Sequence, residues 1–155
     1  MTTTEQSVRK QVSVKVPLDK AFQVFTQNIE RWWHPGHHLG QADLERIVLE
    51  GHAGGRWYEV GVDGSECDWG HVIIWEPPNR VVLAWQINSN WRYDPGLLTE
   101  VEVRFTAEGT GLTRVELEHR NLDRFGVDAP SMAEQFNAPQ GWQGLLDLFA
   151  QRAAS

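Results

Sequence analysis

Three histidines crowd one short stretch, His34, His37 and His38 of Trp33-His34-Pro35-Gly36-His37-His38-Leu39-Gly40. Imidazoles this close could hold a transition metal. Pro35-Gly36 breaks the helix that would align them, and no nearby carboxylate or cysteine completes a recognised ligand spacing. The expectation is therefore loop histidines at the mouth of a cavity, with ligand contact or proton transfer as the alternative, and no metal. Two further histidines are placed by strand parity. His71 alternates with Trp69, Ile73 and Trp75, and His119 with Val115 and Leu117. Facing inward, either is a core histidine with a satisfied hydrogen bond, or a group that orients a substrate hydroxyl or acts as a general base.

Glu59 shares a strand face with Trp57. Buried without a partner it would neutralise and become a proton donor; the commoner outcome is an arginine partner, for which Arg56, Arg80, Arg104 and Arg114 are available. The single cysteine, Cys67, lies between Glu66 and Asp68, which raise a thiol pKa, so it reads as a strand residue and not a nucleophile. No serine nucleophile motif, phosphate-cradling loop or dinucleotide fingerprint is present. His71, His119 and Glu59 remain the candidate catalytic groups.

The other chemical signal is aromatic. Eight tryptophans occur in 155 residues, seven of them between positions 32 and 91. Each buried indole needs an acceptor for its N–H or a cavity to face, so the excess means either an aromatic core or an aromatic-lined pocket. A net charge of -7 disfavours nucleic acid and anionic membrane surfaces. Apolar content of 41% and charged content of 23% are those of an ordinary globular protein. The first residues lack the basic and apolar regions of a secretion signal, and no stretch is long enough to span a membrane. The chain reads as cytoplasmic.

The elements that must position these residues follow from periodicity. Residues 1–7 are polar and expected to be disordered, leaving 8–155 as one domain. Val12, Val14 and Val16 alternate with polar residues as a half-buried strand, and Leu18, Phe22, Phe25 and Ile29 mark one face of a helix opened by Pro17. Strands are expected at 44–50, 56–62, 67–76, 80–88, 98–107 and 112–119, separated by turn residues. One apolar and one charged face on these strands describes an antiparallel sheet covered on a single side. The cover is the helical stripe Trp142, Leu145, Leu146 and Phe149. The expected fold is α+β, in the order β-α-α-β6-α: a curved sheet around a long C-terminal helix, with space left between them for an apolar ligand.

Several stretches resemble a known family. They are Val16-Pro17 entering Ala21-Phe22-Gln23-Val24-Phe25, then Trp32-Trp33, Gly54-Gly55-Arg56-Trp57, Gly64-Ser65-Glu66 and Trp69-Gly70-His71-Val72. The Glu76-Pro77-Pro78-Asn79-Arg80-Val81-Val82 turn, Ala84-Trp85 and Gly141-Trp142-Gln143-Gly144-Leu145-Leu146 complete the set. In this order they resemble the SRPBCC proteins of the START/Bet v 1-like helix-grip superfamily, and most nearly those related to the activator of the 90-kDa heat-shock-protein ATPase. The resemblance implies the helix-grip fold. It also implies one of several roles: ligand carriage, polyketide cyclase-like catalysis, sequestration of toxic small molecules, or co-chaperone action. A chaperone partner is the least expected, because the chain reads as the helix-grip domain without the separate N-terminal domain that supplies much of the activator's partner contact.

The reading is a protein that binds a small hydrophobic or aromatic molecule between sheet and C-terminal helix, with a cyclase- or hydrolase-like enzyme and a co-chaperone as alternatives. Trp57, Trp69, Trp85, Phe136 and Trp142 would supply stacking surface, Leu146 the floor, and Trp33 and His38 the rim. His71, His119 and Glu59 would fix orientation. No metal and no redox cofactor are expected, and a homodimer through an exposed face is compatible with the sequence. A β-bulge would reverse any assignment that rests on parity.

Overall fold

The computed structural model describes residues 7–154. The expectation for residues 1–6 lies outside the described residues, while Ser7 already belongs to the first strand. Seven antiparallel strands form one sheet: β1 (Ser7–Val14), β2 (Leu44–Leu49), β3 (Arg56–Gly61), β4 (Glu66–Glu76), β5 (Arg80–Trp85), β6 (Thr99–Gly109) and β7 (Leu112–Arg120). Their spatial order is β1-β7-β6-β5-β4-β3-β2, so the first strand closes against the last with Ser7 opposite Arg120 and Val12 opposite Val115.

The concave face takes the apolar half of each alternation. Val101, Val103 and Phe105 of β6 oppose His119, Leu117 and Val115 of β7, all buried. Helix α1 (Leu18–Thr26) enters from Pro17 with Asp19 in its first turn, which suits the positive end of the dipole. It buries Phe22 and Phe25. The chain leaves it at Thr26 and makes a single 3₁₀ turn, Ile29–Arg31, so the second helix of the expected order is one turn long.

The C-terminal part corrects the expectation of one long helix. Helix α2 (Ala129–Asn137) was not anticipated. It is joined to α3 (Gly144–Ala153) through a wide π-type turn, Pro139–Gln143, in which Gly141 leaves helical geometry at φ -81° and ψ -134°. A side chain at Gly141 would lie 2.5 Å from the Phe136 carbonyl oxygen, which makes glycine necessary at this break. With this division, the curved sheet gripping the C-terminal helical segment is the helix-grip α+β fold. None of the described helices is long and apolar enough to cross a membrane.

Strand β4 carries two irregularities that matter for the site. Trp57 of β3 pairs with Gly70 while Tyr58 pairs with Asp68, so Trp69 is an extra residue in β4. A second bulge falls between Val72 and Ile74. A bulge places two successive side chains on nearly the same face and inverts the parity beyond it; a second restores it. Trp69 and Trp75 therefore both face the core, while His71, between the bulges, points to the outer face. Gly70 sits where a Cβ would lie 1.8 Å from the Ala84 carbonyl oxygen, so no other residue fits at the first bulge.

The outer face is charged. Glu102 accepts from Arg80 at 2.6 Å, Arg104 at 2.7 Å and also Arg120. Burial alone would raise its pKa, but hydrogen bonds from Arg120, Arg80 and Arg104 outweigh that and hold it at about 2. Val82 and Ala84, which pair with Glu102 and Glu100, are buried on the same outward side.

Candidate functional site

Aromatic rings fill the concave face in two linked groups. Phe22, Phe25, Trp32, Phe105 and Phe149 meet edge-on or tilted at centroid separations of 4.8–5.6 Å. Trp32 then touches Trp33, which leads through Trp69 and Trp142 to Trp57, Trp85, His119 and Phe136. The first group is solid core. The second borders a cavity of about 340 Å³ between the sheet, the 33–39 loop and the α2–α3 turn.

Its wall includes Trp33, His38, Trp69, Trp85, Phe136 and Trp142, six of the residues to which the sequence assigns ligand contact. The others stand elsewhere. Trp57 is packed behind Trp69 and Trp85 at 5.4 and 5.9 Å, with its indole N–H buried and without a hydrogen-bond partner among the described residues. Leu146 is buried beneath the wall, and its neighbour Leu145 takes the lining position. His71 is a correction: the bulge at Trp69 turns it to the outer face, where its Nδ1 lies 2.9 Å from Gln86 Oε1.

His119 faces inward but does not reach the cavity. It is fully buried behind Trp85, Phe136 and Trp142. The Trp142 indole can only donate, and its N–H reaches His119 Nδ1 at 3.1 Å. The imidazole proton is thereby assigned to Nε2, which donates to Thr99 Oγ1 at 2.9 Å, and the Thr99 hydroxyl donates in turn to the Trp85 carbonyl at 3.0 Å. Burial pushes the His119 pKa down to about 3, so it is neutral in this relay. The imidazole thus accepts from the Trp142 indole and packs on the Trp85 ring, and it is not among the residues that line the cavity.

Glu59 has no arginine partner among the described residues, a second correction. Its Oε1 accepts from the Leu39 amide at 2.5 Å and the Trp69 indole at 2.8 Å, and its Oε2 accepts from the Gly40 amide at 3.0 Å. His38 Nδ1 lies 3.8 Å from the same carboxylate and 3.0 Å from the Gly40 carbonyl. Glu59 thus staples the 36–40 loop to the sheet. The Trp33 indole adds a bond to the His37 carbonyl at 2.9 Å. The loop histidines are consequently held at the rim, with His37 and His38 in the wall and His34 stacked outside on His37 at 4.7 Å. Partial burial and the neighbouring His34 imidazole lower the His37 pKa from its ordinary value.

Leu145 of the C-terminal stripe also lines the cavity, as do Leu39, Ile87, Gln135 and Gln140, which were not singled out by sequence. Gln135 and Gln140 depend on α2 and the turn after it. Met132, Ala133 and Phe136, spaced by one and three residues after Pro130, are the pattern that could have revealed that helix. The polar groups of the wall are therefore two histidines at the rim and two glutamines. Among the described residues no cluster of histidine, cysteine and carboxylate has the geometry to hold a metal.

Sheet and gripped helical segment define a helix-grip protein of the SRPBCC class. More narrowly, the chain belongs to the Activator of Hsp90 ATPase homolog 1-like protein family, whose model matches residues 15–154. No curated protein matches the chain. Among solved structures it is similar to Txn09, an anthrahydroquino-γ-pyrone synthase complexed with SUM, with 36% identity over 95% of this chain and 97% of that one and a TM-score of 0.67. It is also similar to CalC from Micromonospora echinospora, a self-sacrificing resistance protein, with 29% identity over 97% and 96% of the two chains and a TM-score of 0.72. Protein NE0264 from Nitrosomonas europaea shares the fold alone, at 12% identity over 99% and 97% of the chains and a TM-score of 0.66.

Proposed function

We propose that this chain binds a planar, polycyclic aromatic molecule in the cavity between β4, β5, the 33–39 loop and the α2–α3 turn. The observation that carries the reading is the wall itself: Trp33, Trp69, Trp85, Trp142 and Phe136 around about 340 Å³, with few polar groups. Rigid rings offer large contact area and present both edges and faces to a flat ligand. The likeness to a synthase named for an anthrahydroquinone product supports the same ligand class.

Titration with 1,8-dihydroxyanthraquinone is expected to quench tryptophan emission saturably, with a Kd on the order of 10 μM or tighter. Leu145→Trp, which fills the cavity from α3, is expected to weaken binding at least about tenfold while leaving the far-UV spectrum unchanged. Linear, unsaturable quenching, or equal affinity in the filled variant, overturns the reading.

A second reading, chemical conversion of the ligand, is supported by the 36% identity with a synthase and by the two rim histidines. With its pKa lowered, His37 is neutral near pH 7 and suited to accept a proton from a phenol or an activated C–H. Mass spectrometry of an anthrahydroquinone incubated with the protein tests it. Turnover should fall about 10²–10⁴-fold when His37 and His38 are both replaced by alanine. Recovery of unchanged ligand leaves binding as the whole function.

A further inference from the structure

We infer that Trp91 is a stacking residue that completes the cavity at its mouth and selects ligands long enough to reach it; this rests on the aromatic-ligand reading above. Four cavity-lining indoles, those of Trp33, Trp69, Trp85 and Trp142, are buried, whereas Trp91 lines the same cavity and is 45% exposed. Its backbone is unusual. Trp91 adopts φ +60°, a left-handed conformation that favours glycine or asparagine and penalises a bulky side chain.

The hairpin around it enforces that conformation. Ile87 bridges Tyr93, the Asp94 amide donates to the Gln86 carbonyl at 2.7 Å, and the Asn88 amide donates to the Arg92 carbonyl at 2.9 Å. The Trp91 amide donates to the Asn88 carbonyl at 2.9 Å, while Asn88 Oδ1 accepts from the amides of Asn90 and Arg92 at 3.0 and 3.1 Å. Ser89 Oγ ties the tip to Asp128, the residue before α2, at 2.7 Å.

None of these bonds needs an indole. Among the described residues the Trp91 ring makes no aromatic contact and no hydrogen bond, so neither accounts for a bulky residue at the strained position. Backbone strain persists where the surroundings over-determine it and is concentrated at ligand clamps and active sites. What the indole does face is the cavity. A two-ring ligand can sit among the four buried indoles; a longer planar ligand extends to the mouth and lies against Trp91.

The test compares the intact protein with Trp91→Asn, asparagine being a residue that tolerates the left-handed region. Kd for 1,8-dihydroxyanthraquinone and for 1,5-dihydroxynaphthalene is measured by calorimetry, and Tm by scanning calorimetry. The variant is expected to bind the three-ring probe about tenfold more weakly, to bind the two-ring probe as the wild type does, and to keep or raise its Tm. Unchanged affinity for the three-ring probe, equal losses for both probes, or a Tm lowered by more than about 3 °C overturns the inference. If the wild type binds neither probe, the aromatic-ligand reading fails and takes the inference with it; if it binds and the variant matches it, only the inference fails.

Discussion

His119→Ala is expected to destabilise the protein by about 3–5 kcal/mol, the largest effect of any single cavity-adjacent substitution. The imidazole is fully buried, accepts the Trp142 N–H and donates to Thr99, so its removal opens a void and strands the Trp142 donor. Urea denaturation at pH 7.5 measures the loss. Because His119 carries the fold's most depressed histidine pKa, the same residue also writes a pH dependence. Its folded pKa of about 3 lies below the ordinary 6.5, so between these values the unfolded chain binds a proton that the folded chain refuses. Its contribution is fully present above pH 6.5 and is lost as pH falls toward 3, with a slope approaching about 1.4 kcal/mol per pH unit. His119→Gln should flatten the stability profile between pH 6.5 and 4.5, above the range in which Glu102 begins to take up protons. A wild-type profile level across that interval would contradict the assigned burial and relay.

Glu59→Ala is expected to act on both stability and binding. Three donors lose their acceptor at once, the amides of Leu39 and Gly40 and the Trp69 indole, at a cost of about 2–4 kcal/mol. The loop that supplies His37, His38 and Leu39 to the wall is released with them, so anthraquinone affinity should fall at least about tenfold. Hydrogen exchange locates the effect: the Leu39 and Gly40 amides should lose protection well beyond the global change. Glu59→Gln, which keeps an acceptor but turns one donor toward another, should fall between the two. If affinity survives in the alanine variant while those amides exchange freely, the loop is not part of the binding wall.

The strand and core pattern was open to reading because alternation and helical spacing carry it. Val101, Val103 and Phe105 face the core as their period of two requires, and Phe22 and Phe25 as their helical spacing requires. His71 went astray because a bulge is a backbone event: nothing in the Cys67–Val72 stretch except Gly70 hints at it, and one extra residue reverses every side chain up to the next irregularity. Helix α2 escaped because its apolar face is short and interrupted by polar residues, and the break at Gly141 hides its continuity with α3. Parity put Glu59 on the face of Trp57, but two of its three partners are main-chain amides, which no side-chain pattern announces. The same limit explains His119: parity gives its direction, while the Trp142 ring that screens it from the cavity arrives from 23 residues away.

The edge pairing of β1 with β7 has a bearing on how the chain comes into being. Synthesised from its N-terminus, the protein makes β1 first and the strand that holds it last but for the helical segment, with Ser7 waiting for Arg120 and Val14 for Thr113. Phe22 and Phe25 of α1 wait in the same way, for Phe105 of β6 and then for Phe149 of α3. Contacts this distant along the chain make for slow folding, since loop closure precedes any return from them. The nascent chain thus spends most of its elongation with an apolar helix and an unmatched strand in the open, the surfaces through which incompletely folded chains associate.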